Sequence, residues 1–286
     1  MELPNWLRIV LLLLSVVSFL PQLRLLYVRK DSAGLSLFYL LFNLIVATEL
    51  FTLSFIFVVN YAREEFAGPD LFVHDPLNAG DRMNLAQFAL VWVLWLVIFI
   101  ASLAWRSDDP DHSRRRTVAI LYLSFLLISV GPVFIDAVTD HSRDQYHSWG
   151  LGMFVDVHLL LVVPVVSILG IVAVVAQARA ITGAAPGSGL GALSLAGLVA
   201  QGLVFALLAL SWPWRLAFPW DEVGGDWLQW AVLKAWLQVA GFVAVDYAVF
   251  ALGQFVLLWV AVRRGLGHGG IERVSAGDET EPLLGS

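Results

Sequence analysis

Long apolar stretches separated by short polar ones run along nearly the whole chain. Seven of them reach the length of about 20 residues that a helix needs to cross a bilayer. They fall at roughly 6–28, 35–59, 85–105, 117–138, 150–176, 190–211 and 239–262. The runs are near-continuous, whereas a closed barrel would give short segments of alternating polarity. The predicted fold class is therefore all-α, a polytopic membrane protein with seven transmembrane helices. The first run follows Met1, Glu2 and Leu3 and continues to Tyr27. It has neither a basic leader nor a small-residue cleavage site, so it reads as a retained helix.

Composition excludes the other broad classes. Hydrophobic residues make up 59% of the 286 positions and charged residues 14%, against about 45–50% and about 25% in soluble domains. With 17 basic and 23 acidic residues and no basic stripe, nucleic acid is not an expected partner. The chain has no cysteine, which removes disulfides, thiol nucleophiles and zinc–cysteine sites. Ser–His–Asp spacing is absent, no glycine-rich phosphate loop follows a strand, and His141, His147 and His158 lack a metal-ligand pattern. The sequence therefore predicts no enzyme activity, no metal and no cofactor. The glycine-rich loop 183–191 reads as a connector.

Charge gives a direction. With the amino terminus outside, eleven arginines and lysines fall on the cytosolic side: Arg24, Arg29, Lys30, Arg106, Arg114, Arg115, Arg116, Arg179, Arg263, Arg264 and Arg273. Four fall opposite: Arg63, Arg82, Arg143 and Arg215. This bias predicts a cytosolic carboxyl terminus and an amino terminus on the other face. Arg8 and Lys234, near outer helix ends, decide little. The outer loop 61–84 is acidic, and 212–230 carries Trp212, Trp214, Trp220, Trp227 and Trp230, which read as an interfacial belt.

The chain repeats itself. Pro21-Gln22-Leu23-Arg24 ends the first span, and Lys30-Asp31-Ser32-Ala33-Gly34-Leu35-Ser36 leads into the second. Ala176-Gln177-Ala178-Arg179 ends the fifth, and Gly191-Ala192-Leu193-Ser194-Leu195 opens the sixth. In both places a glutamine stands two before an arginine, and a small-Leu-Ser stretch follows a short loop. Spans one to three and five to seven then form parallel repeats, with span four as the inverting linker. The predicted divisions are 1–106, the first three-helix repeat; 107–140, the linker; 141–264, the second repeat; and 265–286, a disordered cytosolic tail.

Ser18-Phe19-Leu20-Pro21-Gln22 followed by Arg29-Lys30-Asp31-Ser32-Ala33-Gly34-Leu35-Ser36 resembles the PQ-loop motif. The family includes lysosomal and vacuolar cystine and cationic amino-acid exporters and is distantly similar to the SWEET sugar carriers. The second motif is degenerate, with alanine at 176 where the family has proline. The resemblance implies a transporter of a small polar solute, such as proton-coupled export of an amino acid from a vacuole or lysosome. The alternative is a non-transporting PQ-loop sensor or scaffold that recruits cytosolic partners. A seven-helix receptor fits poorly, because such receptors lack duplicated three-helix halves.

Candidate residues follow from transport chemistry. Pro21 removes a backbone hydrogen bond and should kink the first helix. Gln22 beside it offers a donor and an acceptor, so Pro21, Gln22 and Gln177 are the expected hinge or gate. In the second half Gly170 or Pro164 would supply the missing flexibility. Ionisable groups within spans are functional candidates by default. Asp246, about seven residues into the last span, is the first choice for a proton or substrate site. A carboxyl neutral towards an acidic lumen and ionised towards the cytosol couples proton to solute movement. The resemblance adds that related exporters use an acid in the corresponding helix. Glu49 is the second choice, although nothing in the sequence names its cationic partner. Asp156 is the third: Ser167 follows eleven residues later on nearly the same helix face. His158 titrates near neutrality but reads as a surface residue at a span end. Asp136 should reach the interface, and Asp31 pairs as readily with Lys30 as with a solute.

In the tail, Glu279 precedes Leu283-Leu284 by four residues. This resembles the acidic dileucine signal through which clathrin-adaptor-type proteins sort cargo to lysosomes and vacuoles. The expected partners are thus protons, a small solute, the lipid bilayer and such adaptors, at a vacuolar or lysosomal membrane.

Overall fold

The computed structural model describes residues 3–60, 72–105, 112–139, 145–183, 193–217, 233–234 and 236–278. Helix α1 spans Asn5–Arg29 and runs unbroken through Pro21. Helix α2 spans Leu37–Phe55 and ends in a π-helical turn, Ile56–Asn60. Helices α3 and α4 span Ala79–Ala104 and His112–Val138. Helix α5 has three pieces: Gln145–Val157, a π-helical turn His158–Val162, and Val163–Gly183. Helix α6, Leu195–Ser211, ends in the 3-10 turn Trp212–Arg215. Helix α7 opens with the π-helical turn Leu237–Gly241 and continues as Phe242–Asp278. Among the described residues seven helices are long and apolar enough to cross a membrane, and each overlaps a predicted run. The protein is a multi-pass membrane protein.

Local chemistry sets the helix ends. Lys30 takes a left-handed conformation (φ 49°) and its N–H returns to Leu26 O, which stops α1. Asp31 Oδ1 then accepts the Ala33 N–H at 2.9 Å, and Gly34 supplies the positive φ of 86° that completes the turn. Asp31 is thus used by its own turn, as a short Asx residue commonly is. Ser36 caps α2, Asn78 caps α3 in a reciprocal pair with Asp81, and Ser194 caps α6.

The packing order repeats in the two halves. In the first triplet α3 lies between α1 and α2, and in the second α7 lies between α5 and α6. The triplets meet where α1 packs on α6 and α2 on α5. A two-fold operation that exchanges the triplets exchanges these two contacts, as parallel repeats require. Helix α4 packs on α2, outside the symmetry. Leu13, Val17, Leu127, Leu161, Ile168, Leu210 and Leu252 are exposed apolar residues, suited to lipid.

Between apolar helices in lipid the driving force is close packing, and small residues allow it. A Cβ on Gly202 would stand 2.9 Å from the Phe255 ring, and one on Gly253 would strike the Val174 side chain. These glycines bring α6 and α5 onto α7.

Two expectations need correction. Trp212 is fully buried, and its Nε1–H donates to Ala240 O at 2.8 Å, so it belongs to the core and not to an interfacial belt. Its neighbour Trp214 is exposed, as a belt residue should be; Trp220, Trp227 and Trp230 lie outside the described residues. The segment after Arg264, expected to be unstructured, continues the α7 backbone helix as far as Asp278. The first proline after the span is Pro282, so nothing of that kind stops the helix earlier. Glu279, Leu283 and Leu284 lie outside the described residues.

Candidate functional site: a cavity between two three-helix bundles

The two repeated glutamines reach across the interface. Gln177 Oε1, on α5, accepts the Ser36 N–H at 2.8 Å, and its Nε2 donates to Gly34 O at 2.7 Å. Gln22 Oε1, on α1, accepts the Ser194 N–H at 3.0 Å. Each triplet's glutamine therefore holds the start of the other triplet's second helix. Both are buried. Ser36 and Ser194 each cap a helix through the hydroxyl and present the backbone N–H to a glutamine. The proline at 21 and alanine at 176 do not disturb this symmetry.

Beyond the clamps lies an aromatic layer. Gln254 Nε2 donates to Tyr39 Oη at 2.9 Å, joining α7 to α2. Trp95 packs edge-on against Phe19, Tyr39 and Phe250. On its far side is a narrow cleft of about 30 Å³, lined by Asn43, Trp95, Ser167, Gly170, Asp246 and Tyr247 among others. Asp246 is buried, and Ser167 Oγ donates to its Oδ1 at 2.5 Å. Asn43 Nδ2 is used by Tyr39 O at 2.8 Å.

Glu49 stands behind this wall. His158 Nδ1 lies 2.7 Å from Glu49 Oε1, and the His158 ring stacks on Phe154 at 4.1 Å between centroids. Both partners are buried, and Glu49 Oε2 has no hydrogen-bond partner. Asp246 feels the Glu49 charge, so the two carboxyls belong to one electrostatic system.

The opposite end of the molecule is also tied across the bundles. Arg8 Nη1 donates to Asn84 Oδ1 at 3.1 Å and to Arg215 O at 3.2 Å, and Asn84 Nδ2 donates to Arg215 O at 3.2 Å. Arg215 Nη1 donates to Gln87 Oε1 at 2.6 Å, and the Leu3 N–H to Trp214 O at 2.7 Å. Trp212, Phe88 and Tyr247 pack as an aromatic layer between this network and the cleft. Hydrogen bonds thus join the bundles at both ends of the cavity.

Of the residues singled out in the sequence, Gln22, Gln177, Asp246 and Glu49 are brought into this arrangement. Asp156 is not: it is exposed. The π-helical turn His158–Val162 lies between it and Ser167 and adds one residue to the winding, shifting the face by about 100°. Ser167 consequently faces Asp246 while Asp156 faces outward; His158, expected at the surface, is buried on the same face as Leu151 and Val155. Asp136 meets Asn60, whose Nδ2 donates to its Oδ2 at 2.5 Å. Sequence reasoning missed Arg8 and Arg215 as buried groups. Arg215 carried a signal, a lone arginine beside Trp212 and Trp214 just past the end of the sixth predicted run.

The PQ loop repeat family model matches residues 3–61. No match was found among curated proteins or among solved structures. That matched segment contains Pro21, Gln22 and the whole turn into α2. The chain is a membrane protein with seven membrane-length apolar helices among its described residues, and its residues 3–61 match the PQ loop repeat family model.

Proposed function

We propose that this protein is a proton-coupled transporter that exports a small polar solute, an amino acid, from a vacuole or lysosome by alternating access. The observation that carries the reading is the pair of reciprocal glutamine clamps, Gln22 to Ser194 and Gln177 to Ser36, at one end of a cavity that contains Asp246. A carrier needs a gate that breaks and re-forms at modest cost. A hydrogen bond contributes about 0.5–1.5 kcal/mol net when water replaces the lost partner. The three bonds named for the two glutamines then hold the gate by about 1.5–4.5 kcal/mol. That is the range in which a minor state remains populated and a ligand can shift it.

Opening would proceed by rocking of the triplets, with α1 moving on α6 at one end while the arginine network stays closed at the other. Asp246 would take a proton facing the lumen and release it facing the cytosol. The charge bias of the loops supports a luminal amino terminus and a cytosolic carboxyl terminus, which puts the glutamine clamps on the cytosolic side. In this reading the chain performs no covalent chemistry, needs no cofactor, and is sorted through Glu279, Leu283 and Leu284.

The test is amino-acid and sugar uptake into proteoliposomes under an imposed pH gradient. Acid-driven amino-acid flux that Asp246→Asn abolishes supports the proposal. Absence of flux for every amino acid, with capture of a cytosolic complex instead, would favour a sensor or scaffold.

A further inference from the structure

The chain enters α3 through residues 72–78, a short segment without helix. It lies beside the arginine network: a Cβ on Gly80, two residues beyond it, would meet the Arg8 guanidinium at 2.7 Å. Its first residue, Phe72, is 2% exposed. The Phe72 ring centroid stands 4.9 Å from that of Phe57, in the turn that ends α2, and 5.8 Å from that of Trp212, at the end of α6. It also stacks on Phe242 of α7 at 6.1 Å.

These neighbours fix where the ring sits. Helix α2 meets the second triplet through α5, and α6 meets the first triplet through α1. A ring that touches the ends of both α2 and α6 therefore crosses the middle of the interface, over the cavity. Beneath it Trp212 packs on Phe88 and Tyr247, and Tyr247 lines the cleft. Phe72 is thus the outer ring of an aromatic column that ends at the cleft.

The two ends of the segment are held differently. The N–H groups of His74 and Asn78 donate to Asp81 Oδ2 at 3.2 and 3.0 Å, and His74 Nδ1 lies 2.9 Å from Asp81 Oδ1. The buried carboxylate that completes the cap of α3 is therefore also the anchor of the segment. This end is bound to the first triplet by polar contacts. The Phe72 end rests on Trp212 and Phe242 of the second triplet by apolar contact alone, which can part without leaving a polar group unpaired.

We propose that residues 72–78 form a strap that shuts the outer end of the cavity, with Phe72 as its plug and Asp81 as its anchor. When the triplets part at this end, the strap stays with α3 and Phe72 leaves Trp212 and Phe242, which opens a way down the aromatic column to the cleft. That movement rests on the transport reading; the closure itself does not.

The chain lacks cysteine, so single reporters can be placed in the purified full-length protein: Val91→Cys in the cleft and Gln201→Cys towards the glutamine clamps. Labelling of Val91→Cys by a water-soluble maleimide should accelerate about tenfold when Phe72→Ala removes the plug. His74→Ala, which leaves the ring in place and loosens the anchor, should accelerate it several-fold. Gln201→Cys should label at its original rate with either change. An unchanged rate at Val91→Cys with both changes would overturn the strap, because nothing was blocked. An equal rise at both reporters would overturn it too, because the whole bundle had loosened. Acceleration confined to Val91→Cys in a protein that shows no flux in vesicles would retire the transport reading and leave the closure standing.

Discussion

Gln177 on the fifth helix accepts the backbone N–H of Ser36, the cap of the second helix, at 2.8 Å, while its other amide atom holds Gly34 O. Its counterpart Gln22 does the same for Ser194, the cap of the sixth helix. The repeat is therefore more than a similarity of sequence: each half closes the other. An amide is suited to this task because it offers a donor and an acceptor without a charge to desolvate.

Gln177→Ala should loosen the clamped end. The chain lacks cysteine, so a single Gln201→Cys, in the cleft between Gln22 and Trp95, reports access to that end. With about 1–3 kcal/mol of clamp removed, labelling by a water-soluble maleimide should accelerate about five- to hundredfold. An unchanged rate would mean that the glutamine does not hold the gate. The same rise is expected for Gln22→Ala, since the two clamps are related by the two-fold.

The Glu49–His158 pair should behave as a buried unit. His158→Ala leaves a buried carboxylate without its partner, which costs about 3–5 kcal/mol, read as a large fall in Tm. Replacing both residues with leucine should restore most of it. If the double variant is as unstable as the single one, the pair contributes something other than mutual neutralisation.

Ser167→Ala separates support from chemistry at Asp246. Loss of the hydroxyl at 2.5 Å should reduce acid-driven flux several-fold while Asp246→Asn abolishes it, with both variants expressed and folded. Equal loss in the two would assign the essential role to the Ser167–Asp246 bond itself.

The glycines on the seventh-helix contacts should tolerate no branched replacement. Gly253→Val, placed against Val174, should lower stability by about 1–3 kcal/mol through overpacking, measured as denaturation in detergent. A neutral effect would show that α5 and α7 can separate freely.

The sequence carried the seven spans, the duplication and the glutamines, because each is a local pattern: twenty apolar residues, a repeated turn, a polar group where few belong. What glutamine would hold was not legible, since Ser36 and Ser194 are brought to it by packing from 141 and 172 positions away. Asp156 reads as facing Ser167 on a regular helix, but a π-helical turn changes the phase of α5; the signal was Pro164, two residues beyond the turn, which cannot donate to the carbonyl of residue 160. His158 faces inward by ordinary helical spacing, seven and three residues along from the buried Leu151 and Val155. Arg8 and Arg215 looked like interfacial residues by position. Their burial depends on Asn84, Gln87 and the backbone of the opposite triplet, which only the assembled bundle brings together.

The central claim, that the two triplets rock about the cavity so that one end opens as the other closes, is tested most directly by distances measured between spin-label pairs at both ends of α1 and α6. Val28 with Leu195 reports the glutamine end, and Trp6 with Trp214 the arginine end; all four side chains are exposed. As pH is lowered and solute added, the account predicts that one distance lengthens while the other stays short, and that the two exchange between conditions. Both distances remaining fixed, or lengthening together, would contradict it.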